Sequence, residues 1–553
     1  MRIAVKILDK LTLAGFCFYL SLFFTDYSFL KINISNISGP TCGMLFLLLL
    51  RYLSDSRTFG QNPVVAAIKR LGGAGERKLI LAAMSMLFLA LSAVSIARHL
   101  SFGSSSFDLG IFDQAVWNTT RGDWLFSSLR GNMNLMGDHF EPILLLIVPL
   151  YLIWPSALVL LLLQSALLSS SLVPLWLIAK EKLTAKPLTF AFVISFLLSR
   201  PLRGVAFSDF HPECFILPLL FWAYYFLIKR KNVCSFITII LLLFCKEDVS
   251  FLVSGLGIYA LFFQKRPRLG ILLIALGIFA WILEVKFIIP RFNPLNQYDY
   301  DRRLAFGMPY HDFFKNVIRN PSALKEVFFT QDKTAYVLKL FGPLAFLSLF
   351  SPPHYILIAI PLLKNIMPTS GLFAGWHGIT SHYSAAILPF IYIAAIYGAC
   401  RLLKWLDKAR APIAIAFLVT LSSLLFYGKT DGHKFAKFLR VAKNNRSLEK
   451  ISFFKLIPPQ ASVAANFYLV PHLSHRKYIY EFNPRARTTY ITEYLAVDLG
   501  LLDYLPQEDS SNIKQYLNEM VRRGHRQVFA SPDQRLLIFY NSNFDESLLG
   551  KIN

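Results

Sequence analysis

From Leu79 to Ala97 the chain runs nineteen residues without a charge, LILAAMSMLFLALSAVSIA, and stops at Arg98. A run of that length is what a helix needs to cross the roughly 30 Å hydrocarbon core of a bilayer. In that medium each backbone amide must be satisfied within its own segment or in a closed sheet, so a single such run folds as a helix. Similar runs recur along most of the 553 residues, and only 16% of residues are charged, against about a quarter in soluble globular chains. The chain therefore reads as a polytopic α-helical membrane protein, with the lipid bilayer as its first partner.

The formal net charge of +24 would suggest nucleic acid in a soluble protein. Here Lys and Arg mark cytoplasmic loops, and no basic run interleaves with aromatics, so no nucleic-acid partner is expected. The six cysteines, Cys17, Cys42, Cys214, Cys234, Cys245 and Cys400, lie in or beside apolar segments, and none forms a C-x-x-C pair. That pattern argues against a disulfide framework or a zinc knuckle.

About thirteen spans are expected from apolar length and basic flanks. The first is Leu11–Phe24, read as an uncleaved span because no small-x-small cleavage site follows it. Cys42–Leu53, Leu79–Ala97, Pro155–Ala179 and Pro187–Ser199 follow. One span returns to Lys229, then come Val233–Cys245, one returning to Lys265, and Leu269–Ile289. Two short spans flank Ser351-Pro352-Pro353, and Ser384–Cys400 and Ala411–Tyr427 complete the set. Placing the Lys/Arg-rich loops inside puts every Asp/His/Glu-rich loop on the outer face. The domain division is a transmembrane domain at 1–427, with a large outer loop at 98–141, and an outer domain at 428–553.

The tail opens with a basic amphipathic stretch, GHKFAKFLRVAKNNR, suited to a membrane surface. Strands are expected in IPPQASVAA, KYIYEF and YLAVDL. Helices are expected over Asn466–His475 and Ser511–Arg523, and two further strands within Arg526–Tyr540. The alternation predicts a small α/β domain. It carries no G-x-G-x-x-G or Walker pattern.

Ser101 to Pro142 is the longest polar interruption in the first half of the chain. It holds Asp108, Asp113, Asp123, Asp138, His139 and Glu141. Ionisable groups at a membrane are costly, which makes function the default reading. On a helix, Asp113 points about 140° from Asp108. One carboxylate then faces a cavity while the other orients or caps; the competing reading has Asp108 capping a helix that runs to Asn118. Asp138 is a candidate cap for an interfacial helix over Glu141–Ile153. His139, flanked by acids, fits a general base or a metal ligand. A second group, Asp209, His211 and Glu213, lies in SDFHPE. Asp138, His139, Asp209 and His211 could together offer oxygen and nitrogen donors to a divalent cation, with a buried polar network as the alternative. Lys246, beside Glu247 and Asp248, suits a lipid phosphate or an ion pair with Glu247. His377 and His382 suit a phosphate or sugar, or aromatic anchoring at the interface.

FDLGIFDQAVWNTTRGDW, GDHFEPILLLIVPLY, SDFHPE, CKED and the later IPPQASVAANFYLVPHLSHRKYIYEF resemble a bacterial family of predicted polytopic membrane proteins of unassigned function, grouped with the GT-C glycosyltransferases. The resemblance covers most of the chain. It implies a GT-C-like layout, a polyprenyl-phosphate-type sugar donor, and an envelope glycan, lipid or protein as acceptor. It also implies an essential Asp in the first large outer loop, matched by Asp108, with Asp113 as second choice. Asp108 is followed by Leu109 where GT-C enzymes often carry a second acid. The implied localisation is the bacterial inner membrane, with the C-terminal domain extracytoplasmic. Arg203 and Lys246 are candidates to hold the leaving phosphate. A transporter would instead place ionisable groups near the membrane midplane, where Glu284 and Lys286 are the main exceptions. A non-catalytic partner of an envelope-assembly complex would use the acid/His loops structurally.

Overall fold

The computed structural model describes residues 75–298, 328–367, 381–407, 410–427, 445–482, 491–500 and 517–545, with a few isolated positions besides. The expected spans Leu11–Phe24 and Cys42–Leu53, most of the basic stretch after Gly432, and His377 lie outside the described residues.

Apolar length governs the membrane domain. Glu76–Leu100, Ala157–Lys182, Pro267–Phe292 and His382–Leu402 are each long and apolar enough to cross a membrane. The pair Lys186–Leu197 and Arg200–Ala206, bent by 42°, makes a fifth if taken as one span. Pro201 accounts for the bend, since it has no N–H to continue the ladder; Ser199 restarts the helix by accepting from the Leu202 N–H at 3.3 Å. Glu213–Ile228, Asn232–Leu243, Val249–Phe262 and Ala411–Leu425 are shorter apolar helices. A twelve-residue helix such as Asn232–Leu243 rises only about 18 Å. Among the described residues the expected count of about thirteen is therefore not reached by length, although nearly every expected boundary there falls at a helix.

Helices Val249–Phe262 and Pro267–Leu283 pack closely through small residues. A Cβ at Gly257 would stand 2.8 Å from the Gly270 carbonyl oxygen, and one at Gly270 the same distance from that of Gly257. Such contacts let helix backbones approach in lipid, where apolar burial alone gives no drive. At one end of the bundle Glu76 accepts Lys180 at 2.8 Å and Lys186 at 2.9 Å, and Glu181 accepts Lys229 at 3.0 Å. This is the end that charge bias assigns to the inside.

The segment expected to be helical over Glu141–Ile153 forms a 3₁₀ helix, Pro142–Ile147, followed by the α-helix Val148–Ile153. Leu146, Leu150, Leu152, Ile153 and Trp154 lie exposed on it.

The C-terminal region is a five-stranded sheet. Its strands are β3 (Val463–Asn466), β4 (Ile479–Phe482), β5 (Tyr494–Asp498), β6 (His525–Ala530) and β7 (Leu536–Asn541), β1 and β2 being a two-residue pair, Phe126–Ser127 and Met133–Asn134, in the large loop. The order is β4-β3-β5-β7-β6, with β3 parallel to both neighbours and β7 antiparallel to both of its own. The helix expected over Asn466–His475 is absent. Only a 3₁₀ turn, Val470–His472, forms there, because Pro471 denies the segment an α-helical hydrogen bond.

The large loop carries the sheet. Ser128 Oγ donates to the Ile479 carbonyl at 2.5 Å and accepts from its N–H at 2.9 Å. Gln114 Nε2 donates to the carbonyls of Arg476 at 3.2 Å and Lys477 at 2.9 Å. Tyr480 donates to Asn132 at 3.0 Å, and Ser106 to Glu481. Phe102 enters the core beneath the sheet.

Candidate active site

Asp108 lies inside a short π-helical turn, Ser106–Gly110, that leads into helix Ile111–Thr119. It does not cap that helix. The π turn before it is capped by Ser105, whose Oγ accepts from the Asp108 N–H at 3.2 Å. Ser105 is itself fixed from behind: its N–H donates to Asp209 Oδ2 at 2.9 Å, and Arg98 Nη2 meets the same oxygen at 3.1 Å. Asp209 stands at φ +62°, a left-handed conformation that Asp tolerates better than most residues. Gln164, a lone amide in an apolar helix, accepts from the His211 N–H at 3.2 Å and donates to the Asp209 carbonyl at 2.7 Å.

This scaffold aims Asp108 Oδ1 at His211 Nε2, 3.2 Å away. Asp108 retains 36% of its side-chain exposure, whereas Asp209, Glu213 and Glu247 are buried. Burial alone would raise its pKa, but the charge and hydrogen bond of His211, the Ser105 hydroxyl and nearby His382 outweigh it and hold the carboxyl down to about 2. His211 moves the other way. Burial works against its protonation, and the Asp108 carboxylate, with help from Glu213, overcomes this and raises its pKa.

The cluster continues inward. His382 stacks on His211 with centroids 3.7 Å apart, and its Nε2 lies 3.9 Å from Glu213 Oε1. Lys246 Nζ binds the same Glu213 oxygen at 2.7 Å. Burial would lower the Lys246 pKa, yet Glu213, Glu141 and Glu247 surround it and keep the ammonium charged. Burial pushes Glu141 well up, against Lys246, with Glu213 and Glu247 adding to the rise. Glu247 accepts His139 Nδ1 at 2.8 Å, Tyr298 at 3.1 Å and the Phe140 N–H at 3.2 Å. Asp248 pairs with Lys364. The His139 segment is seated by Gly137, where a Cβ would stand 2.5 Å from the Phe292 carbonyl oxygen.

Asp113 faces elsewhere. It is 1% exposed and accepts from Tyr151 at 2.5 Å, from Ser474, and from His475 Nε2 at 3.1 Å. It therefore ties the loop to the C-terminal domain. Burial opposes ionisation of Asp113, but His475, Ser474 and Tyr151 lower its pKa, and Asp113 in turn raises that of His475. Asp138 is no cap either: it pairs with Arg130. Arg203 turns from the cluster, donating to the carbonyls of Leu198 at 3.1 Å and Tyr427 at 2.7 Å, its guanidinium 3.9 Å from the Tyr427 ring centroid.

Asp138, His139, Asp209 and His211 are drawn into four different pairs, and no group of three or more His, Cys, Asp or Glu side chains among the described residues is arranged to hold a metal ion. Glu284 meets Ser250, which donates at 3.2 Å from the first turn of Val249–Phe262, so it lies close to the Lys246 segment and away from mid-helix. Lys286 is exposed.

Sequence reasoning missed Arg98, Ser105, Gln164 and Lys364. Two carried a signal: Gln164 interrupts LVLLLLQSALL, and Arg98 is a basic residue closing a span at the acid-rich end.

These features define a multi-pass helical membrane protein with a charged cluster at one end of its bundle and a C-terminal five-stranded sheet against its large loop. The chain belongs to the family described as predicted membrane protein (DUF2079), whose sequence pattern matches residues 98–533. No curated protein matches it. Among solved structures it is similar to ArnT from Cupriavidus metallidurans bound to undecaprenyl phosphate, with TM-score 0.47 and 10% identity over 84% of this chain and 99% of that one. The apo state of the same protein gives TM-score 0.46 and 11% identity over the same shares.

Proposed function

We propose that the chain is a membrane-embedded glycosyltransferase of GT-C type, which moves a sugar from a polyprenyl-phosphate-type donor to an envelope acceptor at the extracytoplasmic face. The observation that carries this reading is the half-exposed Asp108 carboxylate, fixed by Ser105 and His211 and joined through His382 and Glu213 to the buried ammonium of Lys246. A carboxylate and an ammonium in one enclosed cluster are what transfer from a phosphate needs: one takes a proton and the other meets leaving charge.

In the step, an acceptor hydroxyl oxygen attacks the anomeric carbon and its proton passes to Asp108. The bond from that carbon to the phosphate oxygen breaks, and its electron pair leaves with the lipid phosphate. A carboxylate held near 2 is a weak base toward a resting alcohol. It suits a hydroxyl that becomes acidic only as its oxygen bonds to carbon. Lys246 meets the leaving phosphate by exchanging Glu213 for it, and Lys364 lies in the same cluster. His211 Nδ1 and Glu213 Oε2 are buried and have no partner among the described residues, which leaves polar capacity for a substrate. No soluble nucleotide is required.

The test compares envelope glycans and lipid-linked sugars in cells lacking the protein, expressing it, and expressing Asp108→Asn at equal membrane abundance. A sugar lost in both the null and the variant, with lipid-linked donor accumulating, is expected. A wild-type profile in the Asp108→Asn cells refutes Asp108 as base and favours a structural role for the cluster.

A further inference from the structure

Among the described contacts, two kinds hold the C-terminal sheet on the large loop. Ser128, Gln114 and Tyr480 act through neutral groups, which do not change charge near neutral pH. The second kind involves ionisable side chains. Asp113 meets His475 Nε2 at 3.1 Å, Asp123 meets Lys477 at 3.1 Å, and Ser106 donates to Glu481. Of these residue types, histidine is the one whose ordinary pKa lies near neutrality. The pair is arranged so that the histidine, and not the acid, meets solvent: Asp113 is 1% exposed and His475 32%. A cavity of about 270 Å³, partly open to solvent, lies at the seam and has both residues in its lining. Water and protons therefore reach the imidazole while the sheet is docked.

The groups around His475 come from several elements. Helix Ile111–Thr119 supplies Asp113 and Trp117, whose ring lies parallel to the imidazole with centroids 5.8 Å apart at 10°. An aromatic face at that range favours a cation. Arg121 follows from the turn beyond, 5.2 Å from the Trp117 ring. The Tyr151 ring stands 6.2 Å away on the interfacial segment. Arg476 is next in the chain, its guanidinium occupied by the carbonyls of Leu473 at 2.7 Å and Ala461 at 3.0 Å. His99 and His472 line the same cavity, and burial keeps His472 neutral. Burial, Arg476 and Arg121 work against a second proton on His475, and the Asp113 carboxylate outweighs them and raises its pKa. Undocked, the imidazole returns to its ordinary value of about 6.5. The pair's contribution to docking is thus complete below that value, falls as pH rises through the raised docked value, and levels off above it. A neutral ring can still donate from Nε2, but the charge that balanced the buried Asp113 is then gone.

We propose that the Asp113–His475 pair is a proton-operated latch on the C-terminal domain, closed while the imidazole is charged and loosened when alkaline conditions discharge it. The latch acts on docking, whether or not Asp108 transfers a sugar.

The test is hydrogen exchange of the full-length protein in lipid nanodiscs between about pH 6 and about pH 9, each rate divided by the intrinsic rate at that pH. The Ile479 N–H, bound to Ser128 Oγ at 2.9 Å, reports the seam, and the amides pairing β5 with β7 report the sheet itself. Protection at Ile479 is expected to fall by about threefold or more over that range, no more steeply than about tenfold per pH unit, the limit for one proton. The β5–β7 amides are expected to stay protected. His475→Gln, which cannot take the second proton, is expected to remove the step, and Glu481→Gln to keep it. Trp117 fluorescence, read as the difference between wild type and Trp117→Phe, is expected to change through the same pH and serves if His475→Gln does not fold. A wild-type profile without a step, a step that persists in His475→Gln or is lost in Glu481→Gln, or a Trp117 signal that does not follow it overturns the proposal.

Discussion

Asp108→Asn and Asp113→Asn alter two acids five residues apart on one helical segment, and on the proposed reading they have opposite consequences. Asp108 is 36% exposed and bonded to Ser105 and His211. Solvent screens that pairing, so its loss costs at most about 1 kcal/mol of stability. Its loss as a base removes about 10²–10⁴ in rate, or about 3–5 kcal/mol of barrier. Asp113 is 1% exposed and holds Tyr151, Ser474 and His475 across the seam. Breaking a buried pair costs about 3–5 kcal/mol. Asn keeps one carbonyl oxygen for Tyr151, so a value near 3 is expected, which raises the undocked fraction of the C-terminal domain about a hundredfold. The assay pairs transfer activity in membranes with hydrogen exchange at the seam amides around Ser128 and Ile479. Asp108→Asn should be inactive with unchanged exchange, and Asp113→Asn should exchange faster there. An active Asp108→Asn, or an Asp113→Asn that exchanges like wild type, refutes the assignment.

Three further outcomes follow from the same geometry. The folded pKa of Asp108 is depressed to about 2 and that of His211 is raised above its ordinary 6.5, so the pair is intact between them, is lost as pH falls through about 2, and is lost as pH rises through the elevated His211 value; the pH–rate profile should show its alkaline limb above 6.5, and His211→Gln should abolish that limb. Lys246→Arg should keep the protein folded and raise the KM for the lipid donor by roughly tenfold, whereas Lys246→Met strands Glu213, Glu141 and Glu247 without their shared cation and should destabilise by about 3–5 kcal/mol, read as a lower Tm and steady-state level. Asp209→Asn, which loosens the Arg98 and Ser105 contacts, should lower kcat by roughly tenfold at unchanged KM, where a purely structural role would move only Tm.

Apolar length and Lys/Arg bias made most of the membrane domain readable: Leu79–Ala97 lies within Glu76–Leu100, and Ala411–Tyr427 nearly coincides with Ala411–Leu425. All five strands of the C-terminal sheet were readable from their alternation and turn residues. The helix expected over Asn466–His475 failed on Pro471. The partners within the cluster could not be read at all. Lys246 chooses Glu213, thirty-three positions away, over the adjacent Glu247, and Asp108 chooses His211. Such choices depend on which helix ends meet, and spacing along the chain carries no record of that. Local competition hid the cap as well: Ser105 and Asp108 are both good capping residues, and Asp209, far off in sequence, decides between them by holding the Ser105 amide.

The segment from Ser105 to Thr119 therefore carries two Asp–His pairs that face apart, Asp108–His211 toward the membrane-domain loops and Asp113–His475 toward the C-terminal domain. The π turn at Ser106–Gly110 sets the angle between them, since widening one turn rotates everything before it relative to helix Ile111–Thr119. Each pair is anchored on a different body, so the segment is held at both ends. Its near end is fixed by Arg98, Asp209 and Gln164; its far end is fixed by Gln114, Ser128 and Ser474. Rigid support of that kind is what the proposed transfer would need, since a reacting carboxylate must be held within a few tenths of an ångström. It also gives the C-terminal sheet a physical reason to dock on this loop, because without Ser474 and His475 the Asp113 carboxylate would be a buried charge held by Tyr151 alone among the hydrogen bonds described for it.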